Sequence, residues 1–191
     1  MNLLDLVRQT RSYRKFNEAH EVSRETLLEL VELARCSASA RNLQPLKYFL
    51  CNTKAENDIV FNHIAWAGYL KDGAPKAGER PSAYIIMMVD RELTQASPEW
   101  DEGIVSQSIM LGATERGLGG CIIGAVKKQG LHEALALPEH LEIALVLAIG
   151  KPTETVELEA VDNDGNIKYY RDENGVHHVP KRSLEDLIIN K

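Results

Sequence analysis

Residues 117 to 124 read GLGGCIIG, and this stretch places four glycines among apolar residues. Glycine has no Cβ, so its backbone can approach another group closely. Gly117 could simply end a preceding helix, and the other glycines could mark a bulge or a tight contact between helix and strand. The apolar residues indicate that this segment belongs to the core, yet its glycines leave room next to the backbone. A flat bound molecule is one candidate for the group that fills this room.

The elements around this stretch exclude two common phosphate-binding motifs. A helix is predicted before it, with Asp101 as a candidate cap, and a strand is predicted to begin within it. The Rossmann fingerprint needs the reverse order, from strand to helix. A Walker loop needs Gly-Lys followed by Ser or Thr, which is missing here.

Composition indicates one globular domain. The chain has 191 residues, 44% hydrophobic and 26% charged, with a net charge of -6. The acidic balance argues against a nucleic-acid partner, and the apolar runs are too short to span a membrane. The three cysteines match no metal spacing, and the amino terminus lacks a signal-peptide pattern. We therefore expect a soluble cytoplasmic protein without a metal site.

Helices and strands alternate along most of the chain. Asn2 and Ser23 can cap two amphipathic helices, and KYFLC, AYIIMMV and LEIALVLAIG are typical of strands. The pattern predicts an α+β fold, a mixed central sheet covered by helices. Residues 153–180 are predicted to form a strand extension with Asp-Gly and Asn-Gly turns, and 183–191 a terminal helix, all within a single domain spanning 1–191.

Three polar clusters could carry chemistry. In RSYRKF, Arg11, Ser12 and Arg14 could bind a phosphate, although a solvated helix end is the alternative. Lys181 and Arg182 precede a helix capped by Ser183, which would suit an anion or merely face solvent. The third cluster lies in SARNLQP, where side chains could read the edge of a heteroaromatic ring or only cap a loop: Ser39, Asn42 and Gln44.

Other reactive side chains suggest no catalytic group. His177 and His178 are neighbours in a predicted strand and would point to opposite faces, which favours a structural or surface role. Cys121 is predicted to be a small buried packing residue. Because no acid/base pair is evident, a cofactor would have to supply the chemistry of an enzyme.

Taken together and in this order, the clusters resemble motifs of the nitroreductase family of flavin enzymes. The family pattern Arg-Ser-x-Arg-x-Phe stands here as Arg11, Ser12, Arg14 and Phe16. The pattern Pro-Ser-x-x-Asn-x-Gln-Pro stands as Ser39, Asn42, Gln44 and Pro45, with Ala38 in place of the first proline. A third family pattern has an acidic residue at the head of a helix, followed by Gly-Leu-Gly-x-Cys-x-x-Gly, and it stands here as Asp101 and GLGGCIIG. A fourth has a basic pair before Leu-Glu-Glu, and it stands as Lys181, Arg182 and LED.

The resemblance implies a nitroreductase-like fold in a domain-exchanging homodimer with FMN at the interface. Arg11, Ser12, Arg14, Lys181 and Arg182 would hold the phosphate and ribityl chain, with more weight on the last two because Thr10 replaces a frequent arginine. Ser39 and Asn42 would reach in from the partner subunit, and Gln44 would also contact the cofactor. The small residues would let main-chain amides approach the isoalloxazine along Gly119, Gly120, Cys121, Ile122, Ile123 and Gly124.

The function implied by the resemblance is an NAD(P)H oxidoreductase. It would reduce nitroaromatic, quinone or related acceptors in a ping-pong hydride transfer through flavin N5, with no catalytic side chain. Phe61, Trp66 and Tyr69 are candidate stacking residues by composition, with helix core as the alternative. Other flavin chemistry of the superfamily (dehalogenation, azoline oxidation or flavin fragmentation) and a nonenzymatic FMN-binding or storage protein are the alternative functions.

Overall fold

A four-stranded sheet forms the centre of the computed structural model, which describes residues 2–190. Its strand order is β1-β2-β4-β3, and neighbouring strands are antiparallel throughout. The three strands that the sequence predicted from apolar runs are all present. The four strands are β1 (Leu46–Cys51), β2 (Ala83–Asp90), β3 (Gly119–Ile123) and β4 (Leu141–Gly150).

Both faces of this sheet are buried. Successive side chains of a strand point to opposite faces, and all eight residues of β2 are buried. Ile85 and Met87 belong to the core on one face, and Ile86 and Met88 belong to the core on the other. A strand that is buried on both faces needs no polar residues, which is why AYIIMMV shows no alternation.

Helices supply both layers of cover. The predicted caps Asn2 and Ser23 are present, and each side chain accepts a hydrogen bond from the backbone N–H three residues on. The terminal helix predicted over 183–191 is short, because Ile188 is already extended, and residue 191 lies outside the described residues. The helices are α1 (Leu3–Gln9), α2 (Arg24–Arg35), α3 (Lys54–Asn62), α4 (Glu99–Glu115), α5 (Lys128–Ala134) and α6 (Leu184–Leu187).

The predicted α+β class is confirmed, but the central sheet is antiparallel rather than mixed. Helix α4 carries the chain from β2 to β3, and β4 then inserts between them. Strands β2 and β3 run in the same direction, but each pairs with β4 instead of with the other. The helix crossover typical of parallel pairing is therefore present without the parallel pair.

A parallel pair occurs instead in the predicted strand extension. Strands β5 (Val156–Ala160), β6 (Tyr170–Arg171) and β7 (His177–Lys181) form a second sheet in the order β5-β7-β6. β6 and β7 are antiparallel around the predicted Asn-Gly turn, where Gly175 has φ +80°. β5 pairs parallel with β7, so the chain between them contributes β6 to the far edge.

The extension packs against the N-terminal segment of the same chain. Thr153 N donates to Lys15 O at 3.0 Å, and Asn17 N donates to Lys151 O at 2.8 Å. The buried Glu154 carboxylate also accepts the backbone N–H groups of Arg14 and Lys15. The second sheet thus forms a wall beside the segment that carries the arginine motif. Along residues 2–190 we find no helix with the length and apolar character needed to cross a membrane.

Candidate functional site

A cavity of about 280 Å³ lies where the N-terminal segment, β3 and the extension meet. Four predicted side chains and two residues of the glycine stretch meet in it. We call it the basic cavity. It is lined by Thr10, Arg11, Ser12, Arg14, Gln107, Met110, Gly120, Ile122, Tyr169, His177, Val179 and Lys181.

The cationic side chains of the basic cavity have no acidic partner. Within the part of the chain that the structure describes, Arg11, Arg14 and Lys181 form no ion pair. The Nε atoms of both arginines are buried and have no hydrogen-bond partner among residues 2–190. Burial lowers the pKa of Arg11, yet a guanidinium remains charged. Converging charges without counter-charges suit an anionic ligand.

Arg14 is fixed by its surroundings before any ligand arrives. The side chain is 8% exposed, and its Cζ lies 4.7 Å from the centre of the Tyr169 ring. Its Nη1 donates to Ser12 O at 3.3 Å. The nearby Glu154 is already paired with Arg171 at 2.8 Å. Arg14 therefore keeps its charge available to the cavity while its position is held by stacking and backbone contacts.

A second cavity of about 230 Å³ adjoins the first along β3. We call it the strand cavity, and it shares Arg14 and Ile122 with the basic cavity. Burial raises the pKa of the Cys121 thiol, so it stays protonated and packs as predicted. Besides Arg14, Cys121 and Ile122, the strand cavity is lined by residues 65–68 and 123–125. The two cavities together bring the arginine motif and the glycine stretch to one elongated site.

Packing within the chain accounts for two of the glycines. A Cβ at Gly119 would lie 2.6 Å from both Pro152 Cγ and Tyr13 Cδ2. A Cβ at Gly120 would collide with the Ala148 carbonyl oxygen and lie 2.9 Å from Met110 Sδ.

The other two glycines have different reasons. Gly117 has φ +69° and ends α4, as the sequence allowed. Gly124 is less crowded, because a Cβ there would meet only Leu145 at 3.7 Å, and it borders the strand cavity. Of the four, Gly124 is the position left open for the predicted close approach of a ligand.

The predicted cluster of Ser39, Asn42 and Gln44 lies outside both cavities. Ser39 Oγ accepts the Gln44 N–H at 2.9 Å, and Gln44 Nε2 donates to Asn42 O at 3.2 Å. Arg41, Asn42 and Gln44 all have positive φ, between +51° and +56°. Such conformations cost about 1–3 kcal/mol each for residues other than glycine. This turn is therefore held in shape by its surroundings.

Asp101 provides that support and is not the helix cap that the sequence predicted. Helix α4 begins at Glu99 after Pro98, so Asp101 lies in the first turn. Its carboxylate is 3% exposed and accepts hydrogen bonds from Ser39 Oγ and from Ala40 N, at 2.5 and 2.9 Å. An acidic residue at a helix start is favourable, and here it also binds a loop 61 residues away in sequence.

The carboxy-terminal basic pair is divided. Lys181 lines the basic cavity and also borders a separate surface depression, whereas Arg182 lines only that depression, together with Asp186. Residues 177, 179 and 181 alternate onto the cavity face, so the strand period alone could have identified His177 and Val179. Thr10 directly precedes Arg11, whereas the other lining residues that the sequence analysis missed come from distant elements and left no local signal: Gln107, Met110 and Tyr169.

The three candidate stacking residues differ in position. Trp66 lines the strand cavity. Tyr69 packs on Tyr169, with ring centres 4.9 Å apart, and so supports the wall of the basic cavity. Phe61 carries the Arg80 guanidinium 4.1 Å from its ring centre and lines neither cavity.

Known proteins provide an independent comparison. The sequence matches the profile of the nitroreductase family over residues 7–151. The chain belongs to this family. The match spans the arginine motif, the central sheet and the glycine stretch, and it ends where the extension begins.

Solved structures share this nitroreductase fold over most or all of the chain. A Desulfovibrio desulfuricans protein described as a nitroreductase in complex with FMN is 23% identical, with a TM-score of 0.73 over 100% of this chain and 98% of that chain. A nitroreductase family protein of Streptococcus pneumoniae is 16% identical, with a TM-score of 0.71 over 100% of both chains. A Clostridium acetobutylicum protein described as an NADH oxidase is 22% identical, with a TM-score of 0.64 over 79% of this chain and 89% of that chain.

Proposed function

We propose that this nitroreductase family member is an FMN-dependent oxidoreductase that uses NAD(P)H to reduce nitroaromatic, quinone or related acceptors. One observation carries the proposal: a cavity lined by three cations that have no acidic partner within residues 2–190 adjoins a second cavity along β3. A phosphate needs the first feature, and a flat ring system needs the second. The FMN complex and the NADH oxidase among the similar structures support the cofactor and the electron donor.

The residues of the basic cavity fit the phosphate end of FMN. The buried Nε groups of Arg11 and Arg14 lack partners within residues 2–190 and could donate to phosphate oxygens. Lys181 adds a third positive charge and Ser12 a hydroxyl. Arg182 faces elsewhere, so we assign Lys181 alone, of the basic pair, to this end of the site.

The strand cavity would receive the ring system. Residues 121–124 line it with backbone and apolar side chains, and Trp66 closes one side. When bound, the flavin would accept hydride from NAD(P)H at N5 and deliver it to the acceptor in a ping-pong cycle. The chain would bind, orient and shield. No cavity side chain needs to act as a nucleophile, which agrees with the protonated Cys121 thiol.

We further propose that the active form is a homodimer with FMN at the interface. The Ser39–Gln44 turn is rigidly held yet faces neither cavity of its own chain, as expected if it serves the partner subunit. Exposed apolar residues are available to form an interface; for example, Trp100 is 81% and Leu3 68% exposed.

We also propose a cytoplasmic location, because the three free cysteines suit a reducing compartment.

An absorbance spectrum of the purified protein tests this function. We expect a flavin band that bleaches without oxygen on addition of NADH or NADPH, and that returns on addition of a nitroaromatic or quinone. A band that neither nucleotide bleaches would support the storage alternative. A band that returns with neither acceptor would favour the other flavin chemistry of the superfamily. No band after incubation with FMN would contradict the proposal.

A further inference from the structure

His177 is a buried polar residue in the basic cavity. Its side chain is on the same face of β7 as Lys181, and the residue is 1% exposed. Neither ring nitrogen has a hydrogen-bond partner among residues 2–190. A buried polar group that nothing satisfies is costly, so such groups mark places where a ligand completes the bonding.

The neighbour His178 shows what a satisfied histidine looks like in the same strand. Its Nδ1 lies 3.3 Å from a Glu159 oxygen, its Nε2 lies 3.4 Å from an Asp172 oxygen, and its ring stacks on Tyr170. The strand alternation therefore puts one histidine among carboxylates at the surface and the other among cations in the cavity. The two histidines are consecutive residues of β7 and differ only in their surroundings, so His178 is a suitable control for His177.

We propose that His177 is the proton acceptor of the phosphate site: when the phosphate of FMN enters the basic cavity, His177 takes a proton from solvent and donates a hydrogen bond to the phosphate. This inference rests on the proposed FMN function and adds a residue and a proton to it. The imidazolium would be the fourth cation of the cavity, beside Arg11, Arg14 and Lys181.

The charges around the ring explain why the proton would arrive only with the ligand. The charged groups near His177 are Arg14 from the N-terminal segment, Glu154 before β5, Arg171 from β6 and His178 in its own strand. The Tyr169 ring also packs against His177, with ring centres 5.3 Å apart. Burial, with Arg14 as the next cause, lowers the pKa of His177 to about 4, so it is neutral in the ligand-free protein. Glu154 acts in the opposite direction but is paired with Arg171.

A phosphate reverses this balance. FMN carries close to two negative charges on its phosphate at pH 7 and above. A nearby charge of opposite sign raises the pKa of a histidine by about 1–3 units, and a hydrogen bond to the charged form adds to the shift. His177 would then titrate near neutral pH in the complex, and FMN binding would take up a proton. Riboflavin, which lacks the phosphate, would not cause this uptake.

The experiment measures FMN binding to the wild type and to two variants, His177→Gln and His178→Asn. Titration calorimetry at pH 7.0, in buffers of different ionisation enthalpy, counts the protons bound per FMN, and riboflavin is the ligand control. Quenching of flavin fluorescence gives the Kd of FMN at pH 6.5 and 8.5. Circular dichroism and thermal unfolding show whether each variant is folded, and His177→Asn replaces His177→Gln if the latter is not.

We expect the wild type and His178→Asn to take up a sizeable fraction of one proton with FMN and none with riboflavin. Their Kd for FMN should rise roughly three- to tenfold from pH 6.5 to 8.5. Both effects should disappear in the folded His177 variant. Equal proton uptake in that variant, or equal uptake with riboflavin, would overturn the inference. FMN binding without proton uptake in the wild type would overturn it while leaving the proposed function intact, whereas no FMN binding at all would remove both.

Discussion

The basic cavity and the Ser39–Gln44 turn both carry polar groups but use them in opposite ways. In the turn, Ser39 and Gln44 bond to each other, and Asp101 binds Ser39 and Ala40. In the cavity, the guanidinium Nε atoms of Arg11 and Arg14 are buried without partners within the described chain. Groups whose bonds are complete hold the chain in shape, whereas groups left incomplete are available to a ligand.

The largest expected effect extends this comparison to the glycines of β3. Gly120→Ala should lower the free energy of unfolding by about 3 kcal/mol, because the added methyl group meets the rigid Ala148 carbonyl and the Met110 side chain. Gly124→Ala should change it by less than about 0.5 kcal/mol, because its nearest neighbour is Leu145 at 3.7 Å. Urea unfolding of both variants checks the difference. Equal stability losses would show that the two glycines do not differ in packing.

Asp101→Asn tests the bonded side of the comparison. The two donors use different oxygens of the carboxylate, and an amide has an NH2 group in place of one of them, so one accepting contact is lost together with the charge assistance. We expect a loss of about 1–3 kcal/mol in unfolding free energy, measured by urea unfolding. Glu102→Gln, one residue further along the same helical turn, is the control and should be close to neutral. A neutral Asp101→Asn would mean that the turn keeps its positive-φ backbone without this carboxylate.

Lys181→Gln tests the unbonded side, with Arg182→Gln as the matched control one residue away. Removing a cation that bonds to phosphate should weaken FMN binding about tenfold or more, while the free energy of unfolding of the ligand-free protein changes by less than about 0.5 kcal/mol. Arg182 faces a different depression, so its variant should bind FMN within about twofold of the wild type. Flavin fluorescence quenching measures both. A larger effect at Arg182 would reverse our assignment within the basic pair.

The two regions also differ in how far the sequence could predict them. Arg11, Ser12 and Arg14 are close in sequence, and a local motif was enough to place them at one site. The alternation of β7 also places His177 and Val179 on the cavity face. In the sequence, however, the opposite orientation of His177 and His178 favoured a structural or surface role for the histidine. The bond between Ser39 and Asp101 joins residues 62 apart, and no local pattern indicates it.

The same distinction explains the errors in the fold. Continuous apolar runs predicted the central strands, but strand order depends on where each strand finds a partner. The insertion of β4 between β2 and β3 and the parallel pairing of β5 with β7 are both long-range choices. A turn motif such as Asn174–Gly175 is local, and it was predicted correctly.

The smallest expected effect is the pH dependence that His177 gives to the free energy of unfolding of the ligand-free protein. The unfolded chain binds a proton at His177 with a pKa near 6.5, whereas burial holds the folded value at about 4, so the unfolded state gains protons first as the pH falls. The stability that His177 contributes is therefore present above pH 6.5 and is lost progressively toward pH 4. Between pH 7 and 6 the wild type should lose about 0.5–1 kcal/mol more than His177→Gln. If wild type and His177→Gln instead lose stability in parallel between pH 7 and 6, the cavity holds a histidine with an ordinary affinity for protons.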